Sequence, residues 1–249
     1  MKITTLTFDS LDSTNLEALK EARLGADEGL CLVAKEQTAG RGRQGRVWYS
    51  ERGSGLYFTI LLRPRLDPKF LPLITLMAGV AVCDTLREFG LSPDIKWVND
   101  LLIDDKKICG ILAESTDTPR GLAVALGIGI NIRRTNFPPE LADTVTSIED
   151  AAGSGSSVPS PEQLTHVLIN YLRHFYDVLA SPDGPETIRN EWTTRSSFHR
   201  GKSVRVALDG ETFTGVTDGI EENGALRVAL ADGSVKIVQA GDVQQLRAS

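Results

Sequence analysis

Residues 94–132, DIKWVNDLLIDDKKICGILAESTDTPRGLAVALGIGINI, decide the fold of this chain. Four short apolar or alternating runs follow one another here, and they predict four consecutive β-strands. The pair Asp104-Asp105 lies between two of these runs and predicts a hairpin turn. Strands joined this closely predict a mixed or antiparallel sheet, since parallel neighbours need long crossover connections.

The chain before this stretch alternates predicted strands with predicted helices. A helix opens at Thr14, where Thr14 and Glu17 fit a capping box, and a second helix is predicted over 69–89 from its i, i+3, i+4 apolar pattern. The predicted strands are 2–8, 30–35 and 56–63. This order of elements predicts an α+β fold, in which a mixed sheet is backed by helices.

The remainder of the chain changes from helical to all-β. Apolar periodicity predicts an amphipathic helix over 161–180, and a more polar helix is predicted over 186–195. Short alternating runs and tight turns then predict a small SH3-like β-barrel. The turn signals are Asp209-Gly210, Asn223-Gly224 and Asp232-Gly233. We therefore expect two domains, 1–197 and 198–249.

The composition of the 249 residues is ordinary for a globular protein, with 41% hydrophobic and 24% charged residues. The sequence has no apolar run of the roughly 18 residues that a membrane span needs, and no signal-peptide pattern follows Met1. We therefore expect a cytoplasmic protein without a membrane partner. The net charge of −6 argues against a nucleic-acid binder that relies on overall positive charge.

The cysteines and histidines predict neither a disulfide framework nor a protein-only metal site. The sequence contains no CxxC pair and no HExxH motif, and each cysteine lies in an apolar stretch that is typical of buried thiols. None of the histidines follows a nucleophile elbow, which argues against a serine hydrolase. The residues concerned are Cys31, Cys83, Cys109, His166, His174 and His199.

The most unusual segment is the basic, glycine-rich stretch 40–46, GRGRQGR. Its glycines match GxGxxG, but no helix follows and no acidic residue stands at the right distance, so a dinucleotide fold is rejected. Two interpretations remain, a solvated charged loop and a flexible flap whose arginines and backbone N–H groups bind an anion. Trp48, just beyond, could stack on a planar ring or cap the core.

Four segments in order resemble the biotin protein ligases, enzymes that attach biotin to carrier domains of carboxylases. They are DSTN at 12–15, QTAGRGRQGRVW at 37–48, KWVNDL at 96–101 with KICGIL following at 107–112, and GIGIN at 127–131. Val98 stands where this family often has proline, and we expect a valine to be compatible with a strand there. Because Met1 stands close before the DSTN segment, we expect the single-function form without an N-terminal DNA-binding domain.

The resemblance implies a class II synthetase-like biotin/lipoate ligase catalytic domain followed by the barrel. It implies a ligase that uses ATP with Mg²⁺, converts biotin to biotinyl-5′-AMP, and transfers it to a lysine of a biotin carboxyl carrier protein domain. The resemblance implies no DNA partner, and since related enzymes occur as monomers and dimers, a homodimer stays open.

The resemblance also implies the site residues. Lys107, Arg43 and Asp100 are the expected catalytic residues, with Lys107 as the main cation. The glycines of 127–129 either let the sheet approach a ligand closely or accommodate a bulky neighbour. The expected binding residues are Ser13, Thr14 and Gln37 for biotin, Asn15 beside them, Gly40, Arg41, Arg43 and Arg46 for anionic groups, and Trp48, Lys96, Asn99, Lys107, Gly110, Asn131 and Arg247 for the nucleotide or adenylate.

Each of these residues also has a structural interpretation. Lys107 could be an ordinary turn lysine, Asn99-Asp100 a turn, and Thr14 a helix cap. Three rival functions make different demands on the sequence. A lipoate or octanoyl transferase shares the fold but lacks the paired GRGRxG and KWxND segments. A non-catalytic SH3-like adaptor would not depend on residues 37–48. A transcriptional repressor is disfavoured by the net charge and by the expected lack of a DNA-binding domain.

Overall fold

The computed structural model describes residues 1–135, 137–153, 157–208, 210–239 and 242–245. Its helices are α1 (Thr14–Arg23), α2 (Leu73–Glu88), α3 (Pro139–Ala142), α4 (Ile148–Ala152), α5 (Pro161–Leu179) and α6 (Gly184–Arg195). Its strands are β1 (Thr4–Phe8), β2 (Leu30–Ala34), β3 (Gly55–Leu62), β4 (Asp94–Lys96), β5 (Asp100–Ile103), β6 (Lys106–Thr118), β7 (Gly121–Asn131), β8 (Arg200–Leu208), β9 (Glu211–Ile220), β10 (Leu226–Ala229), β11 (Val235–Val238) and β12 (Asp242–Gln245).

The first seven strands form one mixed sheet in the order β1-β2-β3-β7-β6-β5-β4. Only β1 and β2 pair in parallel among these neighbours, and the others are antiparallel. The turn between β5 and β6 is formed by Asp104 and Asp105, whose φ angles are 49° and 59°. Positive φ at both central residues is the geometry of a two-residue hairpin turn, so the predicted turn and the predicted mixed sheet are confirmed.

The two faces of this sheet bury different partners because side chains alternate along a strand. On one face, Val124 and Leu126 of β7 join the main core with α2, α5 and α6. On the other, Ala123 and Ala125 pack beneath α1. Further along β7, the α1 face carries Gly127 and then Gly129. Because glycine has no side chain, this part of the sheet leaves room for a cavity.

Helix α2 and the segment before it, Pro68–Glu88, are long and apolar enough to cross a membrane by length and composition. Most of this segment is buried in the protein, and α2 packs between the sheet and α5 and α6. We therefore interpret α2 as the core helix. The three cysteines are free and buried, as expected, and burial raises the pKa of the Cys31 thiol to about 12.

Several local predictions were wrong. Ser13, rather than Thr14, is the N-cap of α1, and its side chain makes no cap bond. The predicted capping box is absent because the Thr14 hydroxyl donates to Gln37 Oε1 instead. The predicted helix 69–89 begins later, at Leu73, after a short 3₁₀ turn at Pro68–Phe70. Val98 lies in the turn between β4 and β5 and not in a strand, and the Trp97–Val98 peptide bond is cis.

The C-terminal strands form a second, antiparallel sheet in the order β11-β10-β9-β8-β12. The turns at Asn223-Gly224 and Asp232-Gly233 are confirmed, whereas Asp209 of the third lies outside the described residues. One turn docks this sheet on the first, because Gly224 O accepts a hydrogen bond from Trp97 Nε1 at 2.9 Å. A Cβ at Gly224 would lie 2.6 Å from Leu76 Cδ1 of α2.

We expect Gly224→Ala to lower the free energy of unfolding by about 1–3 kcal/mol more than Gly233→Ala does, because overpacking a close contact has this cost. Both glycines occupy turns with nearly equal φ angles, 85° and 84°, but Gly233 has open space at its Cβ position. Gly233→Ala therefore isolates the backbone strain. Urea unfolding of both variants measures the difference, and equal losses would contradict close packing at this junction.

Candidate active site

A cavity of about 560 Å³ lies on the α1 face of the first sheet. The arginine loop (residues 40–48) and the segment 141–145 border it. Of the predicted site residues, Gly40 is buried and does not line it, and Arg247 lies outside the described residues. The predicted residues that do line it are Ser13, Thr14, Asn15, Gln37, Arg41, Arg43, Arg46, Trp48, Lys96, Asn99, Asp100, Lys107, Gly110 and Asn131.

One end of the cavity is a neutral hydrogen-bonding network at the start of α1. Gln37 Oε1 accepts from the Thr14 backbone N–H at 2.9 Å and from its hydroxyl at 3.1 Å, while Gln37 Nε2 donates to Ser50 Oγ at 2.8 Å. These bonds fix the Gln37 amide. Among the described residues, the Ser13 hydroxyl has neither a cap bond nor another hydrogen-bond partner, so it is available to a ligand.

The Asn15 side chain lines the cavity, but its polar atoms are bonded to neighbouring strands. Its Nδ2 donates to Leu112 O at 3.0 Å and to Glu114 Oε2 at 2.9 Å, and its Oδ1 lies 2.7 Å from the Thr59 hydroxyl. A Cβ at Gly127 would lie 2.2 Å from that Oδ1. The side chain is therefore fully engaged, and it pins α1 to the central strands.

The arginine loop is closed back on itself. Gly42 N–H donates to Arg46 O at 2.7 Å, and Trp48 N–H donates to Gly40 O at 3.0 Å. A turn whose Gln44 has a φ of 55° reverses the chain between them. The loop is therefore a hydrogen-bonded hairpin that borders the cavity.

The first two arginines of the loop reach different partners on the sheet. Arg41 Nη2 lies 2.9 Å from Glu114 Oε1, so this guanidinium is already paired with a carboxylate. Arg43 Nη1 donates to Asn99 Oδ1 at 3.1 Å, a neutral partner that leaves its charge uncompensated by direct contact. Burial lowers the pKa of the Arg43 guanidinium, although an arginine stays charged.

Trp48 lies against the glycines of the central strands. A Cβ at Gly129 would lie 2.4 Å from indole Cε2 and Nε1, and one at Gly110 would lie 2.8 Å from Cζ3. Gly129 and Gly110 therefore accommodate the Trp48 ring, and both also line the cavity. The buried indole Nε1 has no hydrogen-bond partner among the described residues, so it can donate to a ligand.

The ammonium group of Lys107 lies beside this ring, with Nζ 5.3 Å from the Trp48 ring centroid. Nζ also lies 2.7 Å from Asp100 Oδ1, in ion-pair contact but outside hydrogen-bond alignment. Burial lowers the pKa of the nearby Lys96 ammonium, and the charge of Asp100 opposes that shift. Lys96, Lys107 and Arg43 thus surround one carboxylate, and the excess positive charge favours an anionic ligand.

Residues between β7 and α5 complete the site, and no sequence motif predicted them. The Lys107 backbone donates to Thr144 O at 2.8 Å and accepts from Thr146 N–H at 2.9 Å, and Asn131 Nδ2 donates to Thr146 O at 3.0 Å. Asn131 therefore holds this segment in place. Other lining residues that were not predicted include Val47, Tyr49, Tyr57, Phe58, Asp105, Phe137, Leu141, Val145, Phe198 and Val243.

The fold and the cavity define a protein that binds a small anionic ligand over its central sheet. Within that class, the chain belongs to the biotin/lipoate A/B protein ligase family, whose profile matches residues 7–131. Residues 199–245 match the C-terminal domain of biotin protein ligases. The two matches fall on the first sheet and on the second sheet, respectively.

Individual relatives cover most of the chain. The bifunctional ligase/repressor BirA of Bacillus subtilis is 36% identical over 236 residues, which are 93% of this chain and 71% of that protein. The biotin--[acetyl-CoA-carboxylase] ligase of Paracoccus denitrificans is 32% identical over 220 residues, 86% of this chain and 90% of its own length. The biotin protein ligase of Aquifex aeolicus, solved with biotin and ATP, superposes over both whole chains with a TM-score of 0.82 at 28% identity.

Proposed function

We propose that this protein is a biotin protein ligase. It joins biotin and ATP to form biotinyl-5′-AMP and pyrophosphate, and it then transfers biotin to a lysine of a biotin carboxyl carrier protein domain of a carboxylase. The observation that carries the proposal is the cationic group of Arg43, Lys96 and Lys107 around one cavity, in a chain similar throughout to a ligase solved with biotin and ATP.

In the first step, a carboxylate oxygen of biotin forms a bond to the α-phosphorus of ATP, and the bond from that phosphorus to the pyrophosphate oxygen breaks. Two anions must meet, so positioning and charge stabilisation supply most of the catalysis. We assign charge stabilisation to Lys107, Arg43 and Lys96. Asp100 keeps the Lys107 ammonium in place through their 2.7 Å contact.

In the second step, the ε-amine of the carrier lysine attacks the biotinyl carbonyl, AMP leaves with the electron pair of the broken C–O bond, and the amine loses a proton. The closed arginine loop excludes water from the mixed anhydride in the interval between the steps. Trp48 contributes a flat apolar surface and an unpartnered N–H to the same ligand.

Biotin itself is assigned to the neutral end of the cavity. The ureido ring of biotin presents one acceptor and two donors, and Ser13, Thr14 and Gln37 supply matching hydroxyl and amide groups. The Ser13 hydroxyl is the free member of this group, while Gln37 and Thr14 are held by each other. Lining residues such as Tyr57, Phe58 and Ile128 supply apolar surface for the rest of the molecule.

Mg²⁺ enters with ATP. The described residues contain no group of three histidine, cysteine or carboxylate side chains that could hold a metal ion. The donor set therefore fits an ion carried mainly by the phosphate oxygens, with Asp100 and Asp105 as the carboxylates that line the cavity. Bound there, the ion would neutralise charge on the triphosphate.

Further parts of the proposal concern the whole chain. We assign 1–197 to the catalytic domain, with a class II synthetase-like fold, and 198–249 to an SH3-like barrel, and the five-stranded antiparallel second sheet supports that barrel. The free cysteines support a cytoplasmic location, and the net charge of −6 argues against DNA as a partner. The exposed edge strand β1 leaves a homodimer possible.

The proposal is tested by mass spectrometry of a carrier domain after incubation with the protein, ATP, Mg²⁺ and biotin. We expect a mass gain of one biotin on the carrier. Pyrophosphate exchange into ATP should depend on biotin and not on lipoate, which separates this function from that of a lipoate ligase. Exchange with lipoate alone, or no gain with any carrier domain, would overturn the proposal.

A further inference from the structure

The carboxylate of Glu114 joins the arginine loop to the scaffold. Glu114 lies on β6 opposite Ala125 of β7, on the face of the sheet that carries α1 and the cavity. Its Oε1 lies 2.9 Å from Arg41 Nη2, and its Oε2 accepts from Asn15 Nδ2 at 2.9 Å. The Glu114 side chain is 20% exposed and the Arg41 side chain 42%, so the pair is partly shielded from water.

We propose that Glu114 is a positioning residue that, through Arg41, latches the arginine loop closed over the cavity. Arg41 was expected to bind an anionic group of the ligand, but its guanidinium is directed to Glu114. Its role in the site is therefore to place Arg43 and Trp48, which follow in the same hairpin and face the cavity.

The second oxygen of Glu114 makes the latch effective. An exposed ion pair usually contributes little, because both long side chains must be held in one geometry. Here Asn15 already holds the carboxylate, and Asn15 is itself fixed by Leu112 O and by its close contact with Gly127. Glu114 is thus ordered before Arg41 reaches it, and the entropy cost of pairing falls mainly on Arg41.

The latch rests on the proposed function only for its effect on the bound adenylate. A closed loop keeps water and solvent exchange away from the mixed anhydride, so opening of the loop sets how fast biotinyl-5′-AMP escapes. The contact between Glu114 and Arg41 is a property of the fold, and its effect on the loop can be measured whether or not the protein is a ligase.

The test uses the full chain with Glu114→Gln, which removes the charge but keeps a side-chain oxygen for Asn15. The matched control is Glu36→Gln, which breaks an Arg–Glu pair of the same 2.9 Å length, with Arg52, outside the cavity. Hydrogen–deuterium exchange of residues 40–48 without ligand should be about three- to tenfold faster in Glu114→Gln, the range expected for a partly shielded pair, and unchanged in Glu36→Gln.

The second measurement is the release of biotinyl-5′-AMP formed on the enzyme from labelled biotin and ATP, which should accelerate by the same factor in Glu114→Gln. In an Arg41→Gln background, Glu114→Gln should add no further effect on either rate. An effect that persists there would mean that Glu114 acts through Asn15, and unchanged rates in Glu114→Gln would equally overturn the latch. If the wild type forms no adenylate, the proposed function fails, and hydrogen exchange alone decides the latch.

Discussion

Replacing Lys107 by alanine is expected to lower the rate of biotinyl-5′-AMP formation by about 100- to 1,000-fold, the usual cost of removing one preorganised group that stabilises transition-state charge. The ammonium belongs to a residue whose backbone N–H and C=O are both hydrogen-bonded, to Thr144 and Thr146 respectively. It is also held within 2.7 Å of Asp100 Oδ1 and beside the Trp48 ring. These contacts hold the cation at the cavity, and biotin-dependent pyrophosphate exchange measures the loss.

Lys106→Ala is the matched control for this prediction. Lys106 is the neighbouring residue of the same hairpin strand, but its side chain is exposed and does not line the cavity. Its removal should leave the exchange rate within about twofold of wild type, as for most surface substitutions. Thermal unfolding of Lys107→Ala must be followed in parallel, since Asp100 loses its partner. A folded Lys107→Ala protein with more than a tenth of the wild-type rate would contradict the assigned role.

The layout of the first sheet could be predicted because its information is local. The four strand-forming runs, the Asp104-Asp105 turn and the helices of the core each carry their signal within a few residues. The capping box predicted at Thr14 was wrong because local sequence did not decide the bonding of that side chain. There, a bond to Gln37, 23 positions away, overrode the short-range preference of the side chain.

The internal organisation of the site could not be predicted in the same way. The motif resemblance identified many of the residues that line the cavity, but it did not show what each side chain contacts. Asn15 and Glu114 are 99 positions apart, and only the pairing of β6 with β7 and the packing of α1 bring them together. A partial signal existed for Thr59, the one polar side chain in the buried strand β3, whose hydroxyl meets Thr14 and Asn15.

The contact between Gly129 and Trp48 gives the other large expected effect. Gly129→Ala should lower the rate of biotinyl-5′-AMP formation by about 100-fold, the cost that a displacement of about 1 Å in an active site can have. It should also reduce the free energy of unfolding by about 1–3 kcal/mol through overpacking. The reason is geometric: the new methyl carbon would lie 2.4 Å from two indole atoms, and strand β7 is paired on both sides, so Trp48 must move.

The Trp48→Ala background separates this contact from a general intolerance of β7 to substitution. Without the indole, the alanine methyl at Gly129 loses the neighbours it would meet at 2.4–2.7 Å, so its cost in unfolding free energy should fall to within about 0.5 kcal/mol of zero. Urea unfolding of the four proteins in this cycle measures the coupling directly. If Gly129→Ala costs as much without Trp48 as with it, the glycine does not accommodate the ring, and the indole then lies over the sheet for another reason.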